Sequence, residues 1–169
     1  MSEIVWTYAT LWESIAEAQP DAPVVIQGED EMSWGELDRQ ADALAGWLIG
    51  EGLTRQSKLA AYMPNRAEYL VVYYAGFKAG FAPLNINYRY TASELEYLID
   101  NADAEAVVFD VRYAETIQAV RDRLDTVRRW IAVGAGEATC PDWAVRYEDT
   151  IAETPASRPV VADWGRHND

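Results

Sequence analysis

Few side chains in this 169-residue sequence are placed to do chemistry, and Arg89 is the best situated of them. It stands in a polar, aromatic loop, Asn85 to Tyr90, between an apolar run at Phe81–Leu84 and a Thr91–Glu94 capping box that opens a helix. Open α/β sheets bind ligands outside the carboxyl ends of their strands. A guanidinium there, beside the free N–H groups of a helix start, can hold a phosphate. The plainer role, a surface arginine paired with acidic neighbours, remains open. The other candidates carry less. His167 is the single histidine and stands in a tail without companions, so a metal site is not expected. Cys140 is the single cysteine, precedes Pro141, and lacks a basic neighbour to activate its thiol. The carboxylate pairs Asp100 with Asp103 and Asp122 with Asp125 read as solvated helix faces, because acid–base work needs surroundings that drive two pKa values apart. Gly134-Ala135-Gly136 follows a strand but lacks the third glycine and helix start of a dinucleotide fingerprint. No residue is assigned a catalytic role.

The elements that must position Arg89 lie between Lys58 and Asp110. They alternate strand, helix, strand, helix, strand, which forces a parallel sheet with helices packed on it. Strands are expected at Leu59–Tyr62, Phe81–Leu84, Ala106–Phe109 and Trp130–Val133. The run Ala106-Val107-Val108-Phe109 is unbrokenly apolar, the mark of a central parallel strand. The helix over Arg66–Ala79 is apolar nearly all round and should be covered on more than one side, a sign of protein beyond a two-layer domain. A further helix is predicted over Ala114–Leu124. Upstream, a Thr10–Glu13 capping box starts a short helix, Val24–Ser33 reads as a β-hairpin, and Ser33 with Glu36 caps a helix over Trp34–Ile49. The fold class is therefore α/β: a mainly parallel sheet with helices on both faces, preceded by a helix and a short hairpin. Residues 1–153 are assigned to this unit and 154–169, with Pro155 and Pro159 and no periodicity, to a linker or tail.

Half of the residues are hydrophobic, enough to build a core and to set disorder aside. The net charge of −14 opposes nucleic-acid binding, which needs surplus Lys and Arg. The acidic N-terminal stretch is unlike a signal peptide, and no run of about 18 apolar residues suggests a membrane span. One cysteine fits a reducing cytoplasm.

Three stretches in register carry a family resemblance. Met32-Ser33-Trp34-Gly35-Glu36-Leu37-Asp38 resembles the early Thr/Ser-Tyr-x-Glu-Leu signature of the AMP-forming acyl-CoA synthetases, the adenylate-forming ligases. Phe77-Lys78-Ala79-Gly80-Phe81-Ala82-Pro83-Leu84-Asn85 is similar to that family's second signature. Asn87-Tyr88-Arg89-Tyr90, Glu94-Leu95 and Asp100-Asn101-Ala102-Asp103-Ala104 resemble its bacterial fatty-acyl and sterol-acyl CoA ligase branch. The resemblance runs from about Tyr8 to Val133 and implies the N-terminal subdomain of the ligase fold. It implies a two-step reaction in the whole enzyme, in which a carboxylate and ATP give an acyl-adenylate and pyrophosphate and CoA then displaces AMP. ATP, Mg and CoA are the cofactors implied for that enzyme, none of them held by this stretch alone. The family's Ser/Thr/Gly-rich phosphate loop with its Lys, its adenine site and its C-terminal lid have no counterpart here. The chain is expected to be inactive by itself and to partner the remaining domains, with a fatty acid as the default substrate and homo-oligomers possible. Relatives place a basic residue at the position of Arg89 against CoA phosphates, which makes Arg89 the candidate cofactor contact. Two other readings are a free-standing α/β interaction module derived from such a ligase and a flavodoxin-like nucleotide-binding or regulatory domain. The turn Met63-Pro64-Asn65 counts against the latter.

Overall fold

The structure, a computed structural model, describes residues 7–134, 136, 139–154 and 157–159. His167, Ala135 and most of the assigned tail lie outside the described residues. The chain opens with α1 (Tyr8–Ala18), the hairpin β1 (Pro23–Gln27) and β2 (Asp30–Ser33), and α2 (Trp34–Gly50). Then β3 (Lys58–Tyr62), α3 (Ala67–Ala79), β4 (Ala82–Ile86), α4 (Ala92–Asn101) and β5 (Ala104–Asp110) follow in alternation. The remainder is α5 (Ala114–Gln118) between two 3-10 turns, β6 (Arg129–Val133), β7 (Val145–Arg146) and α6 (Tyr147–Glu153). The hairpin forms its own two-stranded antiparallel sheet, and five strands, all paired in parallel, make the main sheet in the order β4-β3-β5-β6-β7.

The period of two along each strand sorts the core onto two faces. Leu59, Ala61, Ala106, Val108, Ile131 and Val133 pack with residues of α2, α3 and α6. Ala60, Tyr62, Val107, Phe109, Trp130 and Ala132 pack with Leu95 and Ile99 of α4 and Ile117 of α5. The expected α2 stripe, Leu37, Ala41, Leu44, Ala45 and Leu48, is wholly buried. Helix α3 ends on Gly80, whose φ of 69° is the left-handed cap that glycine adopts without strain.

Four expectations are corrected. The first helix is capped by Thr7, through a Thr7–Thr10 box, and not by Thr10 with Glu13. Glu13 is instead drawn sideways to Lys78. No residue of α3 is exposed, but its cover comes from within the chain. Helix α2 and the sheet flank it, and α1 lays Trp12 against Tyr74 and Phe77 at 5.1 and 6.1 Å between ring centroids. The helix predicted over Ala114–Leu124 breaks after Gln118, because Val120 and Leu124 reach the core equally well from a 3-10 turn. Asn85 and Ile86, expected in the loop, extend β4. The two-residue β7 has no sequence signal of its own.

Candidate functional site

With β3 taken as the first strand of the parallel sheet, the order is 2-1-3-4-5, and the switch point lies between β3 and β5, whose next connections run to opposite sides. In such sheets the crevice outside the carboxyl ends at this point is where ligands bind. Here β3 runs out into Met63-Pro64-Asn65-Arg66, and β5 ends on Asp110 followed by Val111-Arg112-Tyr113. Asp110 terminates an apolar strand and is buried, so its carboxylate must be paired. It accepts from Arg66 Nη1 at 2.9 Å and from Arg112 through the backbone N–H at 3.0 Å, Nε at 2.9 Å and Nη2 at 2.9 Å. Burial alone would raise its pKa, but the Arg112 hydrogen bonds, helped by Arg66, hold it below the ordinary aspartate range. Arg66 is committed a second time, bidentate to Glu68 at 2.8 Å through both Nε and Nη2. Arg112 keeps a largely exposed guanidinium beside the ring of Tyr113.

Gly134 follows β6 and closes this corner. A Cβ there would stand 3.3 Å from Arg66 Nη1, and its φ of 73° is left-handed. Gly134→Ala should therefore cost about 1–2 kcal/mol in a urea unfolding curve, from the backbone strain and the displaced guanidinium. This glycine packs closely on the Arg66 guanidinium. The Arg66–Asp110–Arg112 network stands at this end of the sheet, whose strand order is that of a flavodoxin-like domain.

Next to the network, a tyrosine cluster links the ends of β3, β4 and β5. Tyr62 and Tyr113 have ring centroids 5.1 Å apart, and Tyr88 lies 6.2 Å from Tyr113. Arg89 projects from this cluster. It is exposed, its backbone N–H donates to Asn87 Oδ1 at 3.1 Å, and its guanidinium carbon lies 5.4 Å from the Tyr88 ring centroid. Among the described residues it makes no ion pair. At the adjacent start of α4, Glu94 accepts from the Thr91 N–H and Oγ1, each at 2.8 Å. A cleft of about 680 Å³ between the hairpin and the β3–α3 loop brings Arg66, Glu68 and Arg112 beside Asp30, Glu31 and Asn65.

The other sequence candidates are elsewhere. Asp100, Asp103, Asp122 and Asp125 are exposed. Cys140 is half-buried, and burial pushes its thiol pKa up, the wrong direction for a nucleophile. No group of three His, Cys, Asp or Glu among the described residues is arranged to hold a metal ion. Sequence reasoning missed Asp110, Arg66 and Arg112. The available signal was a charged residue directly after the apolar run Ala106–Phe109, with an arginine two positions on.

The profile of the family described as AMP-binding enzyme matches residues 12–163. The chain belongs to this family. Among curated members, the medium/long-chain-fatty-acid–CoA/3-oxocholest-4-en-26-oate–CoA ligase of Mycobacterium tuberculosis is 35% identical over 128 residues, covering 76% of this chain and 23% of that protein. Its counterpart from Mycolicibacterium smegmatis is 32% identical over the same shares. The chain thus spans about a quarter of the length of the AMP-binding enzymes it matches. Among solved structures, an anthranilate CoA ligase in complex with anthranoyl-AMP superposes with a TM-score of 0.85 at 16% identity, over 92% of this chain and 29% of that one. A Mycobacterium tuberculosis fatty acyl CoA synthetase gives 0.78 at 21% identity, over 92% and 30%. These two likenesses establish the fold. No helix among the described residues is long and apolar enough to cross a membrane.

Proposed function

We propose that this chain is the N-terminal α/β unit of an ATP-dependent, AMP-forming acyl-CoA synthetase, with residues 1–153 as the folded unit and 154–169 leading toward the ATP-binding portion. The profile match across 12–163 carries the reading. In the complete enzyme a carboxylic acid and ATP would give an acyl-adenylate and pyrophosphate, and the CoA thiol would then displace AMP. ATP, Mg and CoA belong to that enzyme, and the cytoplasm is its proposed location. A fatty acid is the proposed substrate, with a sterol side-chain acid second, since the relatives' names join the two.

Within this scheme the chain supplies a scaffold and one edge of the cleft. Arg89 is the proposed contact for a CoA phosphate. Its exposure, its lack of a carboxylate partner among the described residues and its place beyond β4 all leave the guanidinium available for an anion. Arg112, exposed at the end of β5, stands nearby across the tyrosine cluster.

The purified 169-residue chain should show no ATP–pyrophosphate exchange with fatty acids; exchange by these residues alone would overturn the reading. In a complete synthetase carrying this unit, Arg89→Ala should raise the KM for CoA about tenfold, the loss of one charge-assisted contact, and leave adenylate formation unchanged. An unchanged KM for CoA would remove Arg89 from the site.

A further inference from the structure

We infer that Arg158 fastens a charge-held strap that locks α1 onto α2 and α3. Past α6, two described residues, Thr154 and Arg158, lie against the helices of this face. Thr154 lies so close to α2 that a Cβ on Gly46 would come within 3.1 Å of its Cγ2. Further on, Arg158 reaches α1, with Nη2 2.9 Å from Glu17 Oε1 and Nε 3.4 Å from Glu13 Oε1. These contacts tie the segment to two different helices.

The charges beneath explain why a cation is wanted there. Lys78 of α3, its side chain fully buried, lies 2.6 Å from Asp42 and 2.8 Å from Asp38 on α2, and 3.5 Å from Glu13 on α1. Glu13 is thereby shared between the buried ammonium and Arg158. Four carboxylates, Glu13, Glu17, Asp38 and Asp42, face two cations, and without Arg158 they would face one. Like charges left against a buried site repel the element that carries them. That element is α1, which has 11 residues and buries only Ala9 and Ala16 fully. A helix of this length does not persist on its own in water and depends on its docking. Among the described residues, ring contacts also hold it, Trp12 on Trp34, Tyr74 and Phe77, and Tyr8 on Phe77. The Arg158 contacts therefore set how often α1 lifts from the Tyr74–Lys78 side of α3.

Amide hydrogen exchange on the full 169-residue chain tests this, comparing wild type with Arg158→Ala and Arg158→Lys at low salt and at about 1 M NaCl. Exposed ion pairs are individually weak, so Arg158→Ala should speed exchange across α1 about three- to tenfold at low salt. Arg158→Lys should retain most of the protection, and wild type at high salt should approach Arg158→Ala. Helix α4, on the opposite face of the sheet, should be unaffected in every arm. Equal α1 protection in wild type and Arg158→Ala would overturn the proposal. So would equal acceleration in α1 and α4, which would mean general loosening and not a strap.

Discussion

Lys78→Met should lower the stability of the unit by about 3–5 kcal/mol, the largest loss expected from any single polar substitution in it. Among the described residues the lysine is the only cation within ion-pair distance of Asp38 and Asp42, and its side chain has no solvent exposure. Tyr74 adds a ring 4.6 Å from the ammonium and donates its hydroxyl to Asp38. Methionine fills a similar volume, so the loss would come from charge and not from a cavity. Three carboxylates from two helices would be left facing one another in poor contact with water. For a chain of this size the melting temperature should drop by about 10 °C or more, measured by scanning calorimetry. The pH dependence distinguishes this cause from simple misfit. Burial already holds the Asp42 pKa above the ordinary range, and Lys78 is the main influence lowering it. Without the lysine it should rise further. A carboxyl whose folded pKa exceeds its unfolded value binds more protons when folded, so the mutant should regain stability as pH falls toward the ordinary carboxyl range. Adding Asp42→Asn to Lys78→Met should recover part of the loss at pH 7, and no recovery by either route would contradict the charge argument.

Asp110→Asn should cost about 2–3 kcal/mol at pH 7, because one side chain accepts from both Arg66 and Arg112 at the end of the central strand. Its sign with pH is the reverse of that for Asp42. The folded pKa lies below the ordinary value of about 3.9, so the carboxylate's contribution is present above that value and fades as the pH falls beneath it. Wild type and mutant stability curves should separate at neutral pH and converge below about pH 4. Other carboxylates, such as Glu36 beside Arg39, are also held low. Both proteins should therefore weaken in acid, and the informative quantity is the difference between them. The mutation should also free the guanidinium of Arg112, while Arg66 keeps Glu68.

The strand–helix alternation was legible because hydrophobic period and punctuation agree along Lys58–Asp110 and a parallel sheet admits few arrangements. The stripe on α2 and the apolar run of β5 each had one solution. The failures share a cause: a local pattern that two geometries satisfy. Thr7 and Thr10 are both able to cap α1, and the helix starts at the earlier one, which brings Ala9 into the core while Glu13 faces Lys78. Val120 and Leu124 reach the core from a continuous or a broken helix. The apolar girth of α3 announced that it would be covered, but not that α1 would cover it. At the site, position in the chain singled out Arg89. The network of Arg66, Asp110 and Arg112 depends on contacts across 44 residues of sequence that no local spacing reveals.

Among the described residues no strand pairs with the outer side of β4. Its first residue, Ala82, points its N–H inward to Ser57 O at 2.9 Å, so by alternation the N–H of position 83 would point outward. That position is Pro83, which has none, and Asn85 is left as the next outward donor of the strand. The opposite border is β7, only two residues long. A sheet bordered this way gives an incoming strand almost nothing to register against. The main sheet is thereby a poor template for edge-to-edge pairing with another copy.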